Sequence, residues 1–183
     1  MSWTNYKASL ELQAQKHIDP AIRLYTKDNW FCTLLAYLAF WMPNETFLTR
    51  FATSIGPLIF IPKDWETSQV KRLLPHEGRH VKHARWLGLW IHPWVGLPLY
   101  LVLYCLLPFP CYIAIFRYWF EKDADKQYWL ELRRQGRLNA YIVDRAERFG
   151  NTVGGWSYLH PLPTRSLCKA GFKRAAIKLL RKG

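Results

Sequence analysis

The sequence has few acidic residues, few cysteines and no signal for secretion. Asp and Glu number 13 against 26 Lys and Arg, which gives a formal net charge of +13. This balance favours anionic partners, either nucleic acid or phospholipid head groups. The four cysteines form no C-x-x-C pair, so they are interpreted as small buried hydrophobic residues and no disulfide is required. Residues 1–15 are polar and lack the apolar stretch of a secretory signal peptide.

Hydrophobic and aromatic residues, in contrast, are abundant. The 183 residues are 50% hydrophobic and include ten Trp, which suggests a membrane interface or a large buried contact surface. This length predicts one domain with a core of its own. We expect three parts within residues 1–183: N-terminal helices over 1–50, a strand with metal-binding helices over 51–135, and C-terminal helices with a basic tail over 136–183.

Five consecutive residues, His76-Glu77-Gly78-Arg79-His80, form the motif H-E-x-x-H. On a helix of 3.6 residues per turn, His76 and His80 lie on one face, one turn apart. Both imidazoles can then reach one zinc ion, while Glu77 can act on the metal-bound water without occupying a coordination position. The alternative interpretation is a solvated helix with two unrelated histidines.

A catalytic zinc ion needs a third protein ligand. In the longer motif H-E-x-x-H-x-x-G-x-x-H a His completes the set, but Trp86 stands at that position. His83 is too far along a straight helix to reach the same ion, and a solvated or hydrogen-bonded role suits it better. A carboxylate from a second helix remains. Glu121 could ligate zinc, and Asp125, on the same helix face, could accept the free N–H of a ligand histidine.

The pattern His76-Glu77-x-x-His80 followed by Glu121-x-x-Ala124-Asp125 resembles the gluzincin metallopeptidases. It is most similar to the membrane-linked heat-shock and prenyl-protein proteases, to the small minigluzincins and to short H-E-x-x-H proteins encoded by tailed bacteriophages. The resemblance covers about residues 50–135. It implies that two His and Glu121 bind zinc, that Glu77 is the general base and that Asp125 orients a ligand histidine.

The resemblance also implies a fold and a substrate-binding strand. The fold is α+β and mostly helical, a minigluzincin-like zinc-peptidase core with a small edge sheet and an apolar helical hairpin. The stretch from Ser54 to Pro62 resembles the family's edge strand beside the cleft, where an extended substrate would pair with Gly56, Leu58 and Phe60. Gly78 departs from the family pattern, in which a bulky apolar residue commonly follows the catalytic Glu.

Periodicity and breakers predict the remaining elements. We expect helices over residues 6–17, from near Pro20, over 29–42 (buried), 46–53, 64–74 leading into the metal helix, 111–135, 138–149 and 168–183, with a strand over 55–61. In the loop that follows residue 153, Tyr158 or His160 could steady the oxyanion of a tetrahedral intermediate, although a structural role suits each as well.

Residues 86–116 contain no formal charge but are broken by four prolines. The run is too short for two membrane spans, and one span would separate the two metal-binding helices across the bilayer. Two alternatives remain, a hairpin with an exposed apolar face that dips into lipid or docks on a protein, and an ordinary buried core. The basic helix over 168–183 has an apolar stripe typical of helices that lie on membranes or acidic partners.

Two functions follow from these patterns. The first is a zinc metallopeptidase that acts on a peptide or protein substrate. The second is a non-enzymatic structural component, for instance of a phage particle, that keeps the gluzincin-like fold and binds a partner protein, nucleic acid or membrane. The corresponding locations are a phage virion or a membrane-associated position in a bacterial cell. A nucleic-acid binder without any other role has no recognisable motif behind it.

Overall fold

The computed structural model of the protein describes residues 3–38, 44–101, 114–153 and 165–181. The elements follow in the order α1 (Trp3–His17), β1 (Arg23–Thr26), α2 (Trp30–Leu38), α3 (Asn44–Arg50), β2 (Thr53–Ile55), β3 (Leu58–Ile61), α4 (Thr67–Leu87), α5 (Pro93–Leu101), α6 (Ala114–Arg134), α7 (Asn139–Val153) and α8 (Arg165–Arg181). The predicted α+β class, mostly helical with a small sheet, is confirmed. The chain divides into two compact units, Met1–Tyr100 and Leu101–Gly183. The single domain over residues 1–183 stays a prediction.

The first unit contains a three-stranded sheet in the order β1-β3-β2. Arg23 pairs with Leu58 in the parallel β1–β3 ladder, and Thr53 pairs with Phe60 in the antiparallel β2–β3 ladder. One face of the sheet packs with α1 and α4 around a core of Leu10, Ala14, Ile22, Leu24, Ile59, Ile61, Val70, Leu74 and Val81. Val70, Leu74 and Val81 thus turn one face of α4 towards this core.

Two predictions for the sheet are wrong. The single strand expected over residues 55–61 is a hairpin, because Gly56 adopts a φ of 55° in the turn between β2 and β3. The strand expected at the edge is central, since β3 is paired on both sides. Leu58 and Phe60 therefore offer no free edge for an added substrate strand, and Gly56 lies in the turn. Among the described strands, the free edges belong to β1 and β2.

Other differences concern helices in the first unit. The helix expected near Pro20 is instead β1, whose parallel pairing with β3 joins residues distant in sequence. The buried helix expected over 29–42 is observed as α2, but it buries one face only: Cys32 and Ala36 are buried, whereas Trp30 is 77% exposed. The expected helices over 6–17 and 46–53 correspond to α1 and α3.

In the second unit, α6, α7 and α8 enclose a core of their own, made of Trp129, Leu132, Ile142, Ala146, Val153, Phe172 and Ala176. Gly136, with a φ of 75°, follows the end of α6 as predicted. Phe172 and Ala176 belong to the apolar stripe predicted for the basic tail. Because this part of the stripe is buried between helices, an anionic partner would meet the polar side of α8.

No helix in the described ranges combines the length and the hydropathy that a bilayer crossing requires. Tyr158 and His160, proposed above for an oxyanion role, lie outside the described residues. Residues 102–113 of the uncharged run also lie outside them. The described part of that run, residues 86–101, forms the end of α4, a turn and α5.

Candidate metal site

The H-E-x-x-H motif lies on α4, as its spacing predicts. The backbone N–H of Glu66 donates to Oε1 of Gln69 at 2.9 Å, which helps to fix the beginning of the helix. His76, Glu77 and His80 are all buried, with 6%, 7% and 5% of their surface exposed, respectively. The alternative of a solvated helix with unrelated histidines is therefore wrong.

The two imidazoles point their Nε2 atoms at each other. The Nε2 atoms of His76 and His80 are 3.3 Å apart, and the ring planes are inclined by 75°. Two nitrogens bound at about 2.0–2.1 Å to one tetrahedral ion would be separated by about 3.3–3.4 Å. The same distance also suits a hydrogen bond in which the two rings share one proton. The pair is thus arranged either to hold an ion or to share a proton.

A carboxylate completes the group. His76, His80 and Glu121 each offer one ligand atom, and these three atoms lie within 4.8 Å of one another. Glu121 is 2% exposed. This buried group of two imidazoles and one carboxylate could hold a metal ion.

The burial and the chemistry of these groups are compatible with a metal ion. A carboxylate removed from water costs several kcal/mol unless a charge or hydrogen bonds compensate for it. A divalent cation supplies that charge, and a set of two nitrogens and one oxygen suits zinc. Asp125, one turn after Glu121 on α6, is also buried, at 4% exposure. Its predicted role in orienting a histidine stays a prediction.

Tyr100 contacts the site and was missed by the sequence analysis. Its hydroxyl oxygen lies 2.9 Å from Nδ1 of His80. If Nε2 of His80 binds an ion, Nδ1 carries the ring proton and donates it to the Tyr100 oxygen, which fixes the tautomer and the ring orientation. No motif points to Tyr100, because it lies near the end of α5, and the rest of α4 and a turn separate this helix from His80.

One of the two alternatives predicted for His83 is contradicted, and the hydrogen-bonded one stays a prediction. The residue is 4% exposed, so the solvated alternative is wrong. Its ring centroid lies 6.0 Å from that of His80, with the two planes inclined by 66°. His83 thus belongs to the buried aromatic surroundings of His80, next to the group of His76, His80 and Glu121.

Gly78, inside the motif, has a packing reason. A Cβ built on this residue would lie 2.6 Å from Cγ2 and 2.8 Å from Cδ1 of Ile18. The glycine therefore lets the chain after α1 approach α4 closely. This requirement accounts for a glycine where the gluzincin pattern commonly has a bulky apolar residue.

Lys27 is the second residue that the sequence analysis missed. It is 3% exposed, its Nζ donates to the carbonyl of Phe47 at 2.8 Å and the same atom lies 3.8 Å from the centroid of that ring. Burial lowers the pKa of Lys27 to about 8, although the charges of Cys32 and Glu77 act in the opposite direction. A buried cation therefore lies within electrostatic reach of the Glu77 carboxylate.

Comparisons of the chain with protein-family models, with curated proteins and with solved structures found no match. The gluzincin resemblance consequently rests on the motif residues and on the group formed by His76, His80 and Glu121.

Proposed function

We propose that this protein is a zinc-dependent metallopeptidase with a gluzincin-like core. The observation that supports this most strongly is the group of ligand atoms from His76, His80 and Glu121 within 4.8 Å of one another. Two neutral imidazoles and a carboxylate form a ligand set typical of catalytic zinc, which leaves a fourth position for water or substrate. A zinc ion bound there would polarise water and the scissile carbonyl.

Glu77 is the proposed general base. It follows the first ligand on α4 and is buried beside it, so its carboxylate is shielded from bulk water. Glu77 takes the proton of the attacking water and passes it to the leaving amine. Tyr100 holds His80 in the required tautomer through the hydrogen bond to Nδ1. Asp125 is proposed to accept the ring N–H of a ligand histidine.

The substrate would pair with a different strand from the one first expected. Because β3 is central, an extended peptide can add only to a free edge. β2 is the edge strand that packs against α4, which carries Glu77. We therefore propose that the substrate backbone pairs with Thr53–Ile55.

Glu77→Gln tests this function most sharply. The amide keeps the size of the side chain but cannot accept the proton, so we expect hydrolysis of fluorescein-labelled casein to fall by at least about a hundredfold. Zinc content should not change, because Glu77 is not a ligand. Glu45→Gln is the matched control, since Glu45 is exposed on α3, and it should retain full activity. Hydrolysis by Glu77→Gln at the wild-type rate would contradict the role of Glu77.

A structural, non-enzymatic role is the second candidate. The observation in its favour is the number of large apolar side chains that are exposed, among them Trp30, Trp86, Leu89 and Trp90. Such a protein would use zinc to stabilise the fold, with four protein ligands around the ion. X-ray absorption spectroscopy of the zinc-loaded protein separates the two functions, because an open site has only three protein ligands.

A further inference from the structure

The chain presents an apolar surface where α4 turns into α5. We call residues 86–99 the elbow. Leu89 is 81% exposed, Ile91 67% and Trp90 63%, and these lie in the turn itself. The exposed face of α5 continues the surface with Trp94, Val95, Pro98 and Leu99. Adjacent exposed apolar side chains of this size are uncommon on a monomer and mark an interaction site.

The backbone contacts hold the elbow in one conformation. A Cβ on Gly96 would lie 1.8 Å from the carbonyl oxygen of Ala84 and 2.4 Å from the backbone nitrogen of Gly88, so α5 packs backbone to backbone on the end of α4. Leu89 and Trp90 have φ values of 53° and 64°, a region that bulky residues rarely adopt. Such strain persists only where the surroundings enforce it, and here it occurs at two large apolar side chains that are both more than 60% exposed.

Hydrogen bonds within the protein satisfy the backbone N–H groups of Leu89, Trp90 and Ile91. The backbone N–H of Leu89, Trp90 and Ile91 donates to carbonyls of residues 86, 85 and 88 at 2.9–3.1 Å. Arg85 donates to the Ile91 carbonyl at 3.2 Å, and its own charge is neutralised by the buried carboxylate of Asp19. A segment whose backbone N–H groups are already bonded enters a weakly hydrated layer at a lower desolvation cost.

The part of α4 that leads into the elbow contains basic residues and no acidic ones after Glu77. Between Glu77 and Tyr100 the sequence contains no Asp or Glu, whereas it contains Arg79, Lys82 and Arg85, of which Arg85 is paired with Asp19. Lys82 lies one helical turn before Trp86, on the same side of α4. A surface of tryptophan and aliphatic side chains next to Lys82, with the nearby Asp19 carboxylate buried and already paired with Arg85, complements the head-group layer of an anionic bilayer.

We propose that the elbow docks the protein onto an anionic phospholipid bilayer. Leu89, Trp90 and Ile91 enter the head-group region, and Lys82 contacts lipid phosphates. The opposite face of α5 carries Tyr100, which is hydrogen-bonded to His80. The candidate metal site is thereby held next to the membrane surface. The docking itself requires no metal ion, so it can be tested in the metal-free protein.

The experiment is flotation of the metal-free protein with vesicles of phosphatidylcholine alone or with about one-third phosphatidylglycerol. Trp90→Asn removes the ring, and Asn tolerates a positive φ. Binding to the anionic vesicles should fall about tenfold or more. Trp30→Asn is the matched control, since Trp30 is 77% exposed on α2, and it should bind like the wild type. Lys82→Gln should lose about fivefold on anionic vesicles only.

Several results would overturn the proposal. These are failure of the wild type to float with anionic vesicles, equal losses for Trp90→Asn and Trp30→Asn, and a dimer in light scattering that Trp90→Asn converts to a monomer while vesicle binding is absent. Circular dichroism verifies that each variant is folded. If Trp90→Asn does not fold, Leu89→Asn provides the same test, because Leu89 also has a positive φ.

Discussion

Replacing Asp19 by Asn should weaken the attachment of α1 to the end of α4. Asp19 is 2% exposed and accepts a hydrogen bond from Nη2 of Arg85 at 2.8 Å and another from the backbone N–H of Ala21 at 2.9 Å. A second bond from Nε of Arg85 makes the pair bidentate. Asn keeps the shape and one acceptor, but it removes the charge that faces the guanidinium.

The magnitude follows from the burial of the pair. Removing one partner of a buried ion pair costs about 3–5 kcal/mol. The Arg85 side chain keeps 18% exposure, so water compensates in part and we expect a loss of about 2–3 kcal/mol. With a urea m-value of about 2 kcal/mol/M, the unfolding midpoint should fall by about 1–1.5 M. Asp144→Asn is the control, because its ion pair with Arg148 is exposed and worth less than about 1 kcal/mol.

The pH dependence provides an independent test. Burial acts to raise the pKa of Asp19, but the hydrogen bonds from Arg85 and Ala21 and the charge of Arg85 outweigh it, so the pKa lies below its ordinary value of 3.8. A carboxyl whose pKa is depressed by folding stabilises the protein above 3.8, and this stabilisation is lost as the pH falls through the folded-state pKa. The difference in the free energy of unfolding between wild type and Asp19→Asn should therefore shrink as the pH falls below 3.8. A loss under about 0.5 kcal/mol at neutral pH would refute the reasoning.

Three further changes test single contacts. Gly78→Ala places a methyl group against Ile18 and should cost up to about 2 kcal/mol, the overpacking penalty less the gain in helix propensity. A raised melting temperature would contradict this. Tyr100→Phe removes the hydrogen-bond partner of His80 Nδ1 and should weaken zinc binding about 10–100-fold in a chelator competition, whereas unchanged affinity would exclude a role in holding the ring. Lys27→Met should stabilise the protein at pH 7 by about 1–2 kcal/mol. Folding lowers the pKa of Lys27 from 10.5 to about 8, so the free energy of unfolding of the wild type increases as the pH rises from about 8 to 10.5. The stability advantage of Lys27→Met should therefore disappear over the same pH range. An advantage that does not change with pH would show that the pKa is not depressed.

The helices were predictable from local patterns, but the sheet was not. The end of α6 follows Gly136 and the apolar periodicity before it, which are local signals, whereas α7 continues past the expected end at residue 149, through Gly150, to Val153. β1 has only four residues, and its pairing partner β3 lies more than thirty positions away. Short strands are defined by such pairing more than by their own composition, so the segment after Pro20 was misassigned.

The candidate site divides in the same way. His76 and His80 were predictable because helical spacing alone places them one turn apart. Glu121 was predictable from the pattern of a second helix together with the family resemblance. Tyr100 and Lys27 were not, since Tyr100 reaches His80 through the close contact of Gly88 with Gly96, and Lys27 is positioned by the sheet. Tertiary packing decides both positions.

The zinc content of the purified protein tests the central claim most directly. Wild type, Glu121→Ala and the control Glu131→Ala, also on α6, would be dialysed against zinc and then analysed by mass spectrometry. We expect about one zinc ion per chain in the wild type and the control, and a large loss in Glu121→Ala. Wild-type protein without zinc, or Glu121→Ala with undiminished zinc affinity, would contradict a metal site formed by His76, His80 and Glu121.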